Sequence, residues 1–202
     1  MSAGRTATRP RTPSVEIENA LIDAAERVLM RHGPQGVTVR AVAAEASVAP
    51  MGVYTRFGGK DGLVDRLLIR GFRGLRAAID PDGHLDASGR LRQAGHQYRA
   101  YAIAHPELYR SMFDNNRQQE ESEELQSAAA AAFEGLVNLV RLGMASGDFR
   151  AGDSDAAARH IWCAVHGGVQ LELTGLLQVT DAETVYAGLL DLLIRGLADR
   201  AD

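Results

Sequence analysis

The chain has 202 residues, 46% hydrophobic, 24% charged and 5% aromatic, with a formal net charge of −4. That balance suits one or two globular cores, and few aromatics beside abundant Ala and Leu favour helices over sheets. No run of eighteen apolar residues points to a membrane span, the first residues lack the apolar stretch of a secretory signal, and the single Cys163 cannot close an internal disulfide, so a cytoplasmic protein that meets no membrane is expected.

Residues 1–13 mix Arg, Thr, Pro and small residues without apolar period, and are expected to form a disordered arm. Ser14 is a candidate N-cap for a helix whose Ile17, Leu21, Ala24 and Val28 share one face, and Gly33-Pro34 should end it. Thr38 is a second N-cap candidate; Ser47 and Val48 turn the chain. A short helix over Pro50–Phe57 follows, with Pro50 at a first helical position, and Gly58-Gly59 stops it. A longer helix is predicted over 60–79, then a loop at Asp80-Pro81-Asp82-Gly83, a helix over 88–104, a break at His105-Pro106 and a short helix ending near Asp114. Residues 115–119 read as a linker and 120–146 as one long helix. Two final helices are predicted over 154–177 and 181–199, and no strand pattern is convincing.

The stretch 38–57, TVRAVAAEASVAPMGVYTRF, fits two short helices joined by a tight turn. Val42, Ala43 and Ala46 allow close packing, Val48 and Val53 plug the gap, and Pro50, Met51, Gly52, Tyr54, Thr55 and Arg56 are left facing outward. Arg, Thr and Tyr suit phosphates and base edges, Met51 a thymine methyl, and Lys60 opens the next helix, whose dipole favours an anion. Charge is divided accordingly: residues 1–74 carry 11 basic and 7 acidic side chains, residues 75–202 carry 11 and 19. The front is the end suited to a polyanion. Arg5, Arg9 and Arg11 serve either as a minor-groove arm or as a solubilising tail. Arg66, Arg70 and Arg73 form a stripe that is either a solvated face or a source of long-range attraction to the duplex.

From Ala20 to Leu68 the sequence resembles the DNA-binding domain of the TetR family, on Thr38, Arg40, Ala43, Glu45, Ala46, Val48, Tyr54, Phe57, Lys60, Asp61 and Leu63. The resemblance implies phosphate contacts from Thr38, Tyr54 and Lys60, and base reading by Pro50, Met51, Gly52, Thr55 and Arg56. Family members often carry Lys where Pro50 stands, and Thr or Ser where Gly52 stands, so fewer direct base contacts are expected and affinity should lean on Arg56 and the arm. HPELYRSMF (His105–Phe113) and IWCAVHGGVQLELTG (Ile161–Gly175) resemble the Trp-x-x-x-His-Gly subclass of TetR C-terminal domains through Trp162, His166 and Gly167. That subclass implies an effector pocket amid the rear helices.

Candidate pocket residues are Tyr98, Tyr101, His105, Tyr109, Met112, Phe113, Trp162, His166 and Gln170, an aromatic set suited to an apolar small molecule. His166 reads equally as a core histidine, and Trp162 reads more readily as core than as ligand wall. Ala157, Ile161, Ala164, Gly168, Leu171 and Gly175 alternate at four and three, the spacing of an interhelical seam. The last helix is apolar on two sides, which calls for a second partner, so this seam with Leu189 and Leu193 is the expected homodimer interface; burial within one larger bundle is the alternative.

The expected fold is all-α: a helix-turn-helix domain over 14–62, a linking helix over 60–79, and a ligand-binding and dimerisation bundle over 80–202, about nine helices in all. The expected function is a homodimeric repressor released from a palindromic double-stranded DNA operator by a small-molecule effector, without cofactor. The alternative is a helical enzyme or interaction module that kept the fold without binding DNA. Enzymatic chemistry finds little support. His160, Cys163 and His166 recur every three residues but lack a further ligand for a metal, Cys163 sits mid-helix in apolar surroundings, and Glu120, Glu121, Glu123 and Glu124 are a solvated helix start.

Overall fold

The computed structural model describes residues 14–79, 81–114 and 122–198, so the expected arm and the 115–119 linker lie outside the described residues. The described residues form nine helices and one isolated antiparallel bridge, Phe149 with Ala198. The chain divides into two compact units, Met1–Leu67 and Leu68–Asp202, so the division falls within the helix predicted over 60–79.

The first unit holds α1 (Ser14–Gly36), α2 (Val39–Glu45), α3 (Met51–Phe57) and the opening turns of α4 (Lys60–Ala78). The buried face of α1 is Leu21, Ala24, Ala25, Val28 and Leu29, the helical spacing of the sequence. Gly33 breaks this helix in the left-handed region (φ 66), and Pro34 then permits one further turn to Gly36. Thr38 caps α2, its Oγ1 accepting from the Ala41 N–H at 3.1 Å, a contact worth about 1 kcal/mol in such positions. The turn is made by Ser47 (φ 57), and the Val48 N–H donates to the Ala43 carbonyl at 2.9 Å. Glu45 fastens α2 to α1 through Arg27 (2.7 Å) and Arg31, and these partners hold its carboxyl below the usual range. Gly58 (φ 72) closes α3, and two residues into α4 Gly62 lies so near that an added Cβ would stand 2.0 Å from the Phe57 carbonyl oxygen. Only glycine lets the α3–α4 corner turn this tightly.

The second unit contains the remainder of α4, then α5 (Ala87–Ala104), α6 (Pro106–Met112), α7 (Glu123–Ser146), α8 (Ser154–Leu173) and α9 (Ala182–Leu197). Asp86, Ser122, Asp153 and Asp181 each cap the helix that follows, accepting from N–H groups that would otherwise be orphaned. His105 leaves the helical region (φ −130, ψ 55), as a residue before proline should, and separates α5 from α6. The predicted eighth helix ran to 177; α8 stops at Leu173. Gly175 is left-handed (φ 70), its N–H donates to the Glu172 carbonyl at 3.0 Å and the Leu176 N–H to the Leu171 carbonyl at 2.9 Å, a Schellman cap. Among the described residues α7 is the one helix long and apolar enough, by length and composition, to cross a membrane. It packs on α5 and α8 and buries Leu125, Ala132, Val137, Val140 and Gly143 there.

Candidate functional site

In the first unit α3 has an inner and an outer face. Val53 is fully buried with Val42, Ala43 and Leu63, whereas Met51 is 69% exposed and Tyr54 52%. Pro50, Thr55 and Lys60 are also exposed and Gly52 is half-buried, so this end of the unit carries hydroxyl, thioether and ammonium groups over an apolar base. Thr38 and Arg40 are exposed at the start of α2. The Thr38 oxygen accepts the capping bond, which leaves its O–H proton available as a donor. Arg56 differs from the outward display expected of it: it is half-buried, its guanidinium donating to the Gly52 carbonyl of its own helix at 3.3 Å and its Nε without a partner among the described residues. Thr55 is exposed as expected, and its hydroxyl donates to the Met51 carbonyl, one turn back, at 2.8 Å. The Arg66–Arg70–Arg73 stripe is likewise not an open cationic face: Arg66 lies 3.9 Å from Glu18 and Arg73 donates to Glu124 at 3.1 Å.

The second unit encloses a cavity of about 410 Å³ among α4, α5, α6, α7, α8 and α9. Of the residues the sequence proposed for a pocket, Tyr98, Met112, Phe113, Trp162 and His166 line it; Tyr101, His105, Tyr109 and Gln170 do not. Tyr101 points at α4, donating to the Gly71 carbonyl at 2.8 Å with Gly74 leaving room for its ring, and His105 stacks on Tyr101 at 4.9 Å. Tyr109 is fully buried behind the wall. The sequence reading missed Phe133, in edge contact with Trp162 at 6.0 Å, and Arg159, whose guanidinium lies 5.4 Å over the Phe133 ring. Position is the one signal that points to Arg159: it precedes Trp162 by three on the same helix face.

A polar cluster closes one end of the cavity. The Tyr98 and Tyr109 hydroxyls are 2.7 Å apart, and His166 Nδ1 lies 2.7 Å from Tyr109 and 3.0 Å from Tyr98. Burial pushes Tyr98 up to about 12, raises Tyr109 well beyond its ordinary value and lowers His166, so the phenols are protonated and the imidazole neutral near pH 7. Either order of the hydroxyls, Tyr98 to Tyr109 to Nδ1 or Tyr109 to Tyr98 to Nδ1, uses both phenol protons, and in each the imidazole hydrogen sits on Nε2.

The seam residues are split in space. Ile161 is buried in its own chain, where it walls the cavity. An added Cβ at Gly168 would meet Leu189 at 3.2 Å and Tyr186 at 3.4 Å, so Gly168 and Leu189 form the contact between α8 and α9 within one chain. Gly175 belongs to the cap, and Ala157, Ala164 and Leu193 are half-buried. The outward apolar residues are Leu171, Val185 and Leu192, 43%, 44% and 62% exposed. Gly167, Gly188 and Gly196 lie on the same helices with open space above their Cα atoms. Ile161 and Gly168 thus serve packing inside the chain while Leu171 looks outward, because a helix packed on two sides carries two such stripes. His160 and Cys163 are exposed while His166 points inward, and among the described residues no group of His, Cys, Asp or Glu is placed to hold a metal.

A helix-turn-helix unit with an exposed second helix, followed by a helical unit around an apolar cavity, defines a DNA-binding transcription regulator. The family models agree. Residues 21–67 match the bacterial regulatory proteins of the tetR family, and residues 91–195 match the tetracyclin repressor-like C-terminal domain. The chain belongs to the TetR family; it is a ligand-responsive DNA-binding regulator and not an enzyme. Similar solved structures include a protein of unknown function from Rhodococcus sp. RHA1, 27% identical with TM-score 0.82, covering 91% of this chain and 96% of its own. The fatty acid degradation regulator FadR of Bacillus halodurans is 20% identical with TM-score 0.71, covering 89% of this chain and 98% of its own. The TetR family regulator PfmR of Thermus thermophilus is 19% identical with TM-score 0.67, covering 89% and 99%. At the last two identities the likeness is one of fold. No curated protein matches the sequence.

Proposed function

We propose that this protein is a cytoplasmic homodimeric repressor that leaves a palindromic operator when a small molecule fills the cavity of its second unit. The observation that carries the reading is the two-sided α3, with Val53 fully buried and Met51, Tyr54 and Thr55 exposed. A short helix whose outer face offers hydroxyls and a thioether suits a major groove, with Thr38, Arg40, Tyr54 and Lys60 on phosphates. Pro50, Met51, Gly52, Thr55 and Arg56 then face base edges. Arg56 reaches them only by exchanging its bond to the Gly52 carbonyl for one to DNA.

One such helix binds weakly, and two half-sites about 34–36 Å apart require two copies. Leu171, Val185 and Leu192, with the open glycines Gly167, Gly188 and Gly196, supply an apolar and small-residue face for that dimer. We read the C-terminal part as one of the Trp-x-x-x-His-Gly subclass, on Trp162, His166 and Gly167. For the response, α4 offers a route. Its first turn carries Lys60, and further along an added Cβ at Gly71 would stand 2.7 Å from the Met112 sulfur, on the cavity wall. A ligand that displaces Met112 presses on α4, and the effect on operator affinity is the differential binding of ligand to the two states.

The test is an electrophoretic shift of the DNA upstream of the protein's own gene. Binding is expected at low salt, with Lys60→Ala weakening it uniformly across sequences and lowering the salt slope by about 1. An intact dimer that fails to shift this DNA at low salt refutes the reading. Arg56→Ala/Lys60→Ala with unchanged biological activity would instead favour an interaction module that does not use DNA.

A further inference from the structure

The cavity wall is selective in the sign of the groups it presents. Of the described residues that line it none is acidic, although residues 75–202 hold 19 acidic and 11 basic side chains. The polar side chains on the wall are Tyr98, Arg159, Trp162 and His166. Tyr98 spends its proton inside the cluster, on Tyr109 or on Nδ1. Arg159 is exposed at the rim, packed over the Phe133 ring, and no carboxylate among the described residues pairs with it. With a phenol donating to Nδ1, His166 keeps its hydrogen on Nε2, and that nitrogen has no partner among the described residues. Trp162 is a donor by its chemistry, and its indole is within reach of the Tyr98 oxygen. The polar groups left for a ligand, Arg159 and His166 Nε2, are therefore N–H donors, one of them a permanent cation, set in a wall of Phe, Leu, Ile, Val, Ala and Met.

We propose that the effector is an apolar organic anion: a hydrocarbon body in the cavity and a carboxylate at the rim against Arg159. The inference rests on the effector reading of this cavity and adds the class of ligand. Among the described wall residues a cation would meet Arg159 with no carboxylate to receive it, and a neutral donor would find no open side-chain acceptor. An acceptor-bearing anion satisfies the wall, and a guanidinium over an aromatic ring is already oriented for a carboxylate. A volume of about 410 Å³ lies toward the small end of ligand cavities, which limits the body to a compact molecule.

Trp162 is the chain's single tryptophan and sits in the wall, so its fluorescence reports occupancy directly. The probes are three UV-transparent molecules of one shape: 4-cyclohexylbutanoate, 4-cyclohexylbutan-1-ol and 4-cyclohexylbutylamine. Titrated into the full-length protein at pH 7.5, the acid is expected to bind at least tenfold tighter than the alcohol and the amine least well. Arg159→Gln, an exposed substitution that leaves the buried core intact, is expected to bring acid and alcohol within threefold while the alcohol itself is unchanged. Alcohol or amine binding as tightly as the acid, a preference that survives Arg159→Gln, or no response to any of the three overturns the proposal. The same three probes are added to the operator complex. Release by the alcohol as readily as by the acid leaves the effector reading standing and removes the anion class. Preferential binding of the acid without release of DNA does the reverse.

Discussion

The Tyr98–Tyr109–His166 cluster permits a quantitative test, because its three groups share two protons and back one another up. Tyr109→Phe removes the donor to Nδ1 and the acceptor of Tyr98. Tyr98 then turns its O–H to Nδ1, already 3.0 Å away, so the net loss is one hydrogen bond, about 1 kcal/mol. Tyr98→Phe keeps a Tyr109 bond to Nδ1 at 2.7 Å and loses the phenol–phenol bond and the one from the Trp162 indole, about 1 kcal/mol each. The double substitution loses all three bonds and leaves Nδ1 with no donor, a bare acceptor that adds at least about 1 kcal/mol beyond the sum of the singles. Urea denaturation followed by Trp162 fluorescence reads the second unit alone, with the slope compared across the variants so that midpoints convert to free energies. A double mutant no less stable than the sum of the two singles would show that the hydroxyls and the imidazole do not form one network. The tautomer on which the cavity's donor character rests would fall with it.

Three further outcomes are expected. Gly52→Ala places its Cβ 3.7 Å from the Arg56 guanidinium and 3.9 Å from Val48, ordinary contacts, so it should stabilise α3 by about 0.5–1 kcal/mol, seen as a melting temperature about 2–4 °C higher. Gly62→Ala puts a methyl 2.0 Å from the Phe57 carbonyl oxygen and forces the backbone apart; a loss of about 1–3 kcal/mol and weaker operator binding are expected, measured by melting and gel shift. Stability should also respond to pH at both ends. His166 titrates in the unfolded chain near 6.5 and lower in the fold, so the unfolded state takes up the proton first and stability declines as pH falls below about 6.5. Tyr98 titrates near 10 when unfolded and at about 12 in the fold, so its contribution is complete below pH 10 and is lost as pH rises from 10 through 12. Melting curves across pH 5–12 check both signs, and a His166→Phe variant should lose the acid limb alone.

The order and nature of the helices could be read from the sequence, because caps, breakers and periodic apolar residues are local signals. Thr38 caps through an N–H three residues away, Gly58 takes a left-handed turn wherever α3 ends, and Pro106 acts on its neighbour His105. The two-sided pattern of 38–57 was equally local, since a seven-residue helix shows its outer positions once Val53 is placed inward. The sequence left Trp162 and His166 open between core and cavity wall, and the cavity itself was not legible. Its wall draws Phe72 from α4, Phe133 from α7 and Arg159 from α8, residues far apart in sequence whose meeting depends on how six helices pack. Tyr101 and Tyr109 have the same chemistry as Tyr98 and the same helical periodicity, but the close approach allowed by Gly71 and Gly74 sends Tyr101 to α4 and burial sends Tyr109 behind the wall. The apolar stripes of α8 and α9 show the limit most plainly. A heptad-like spacing states that a helix face is covered, and the tertiary structure alone decided that Ile161 and Gly168 are covered by their own chain while Leu171 and Leu192 look outward. Periodicity encodes burial, which is a property of a face; the identity of what buries it is a property of the packing.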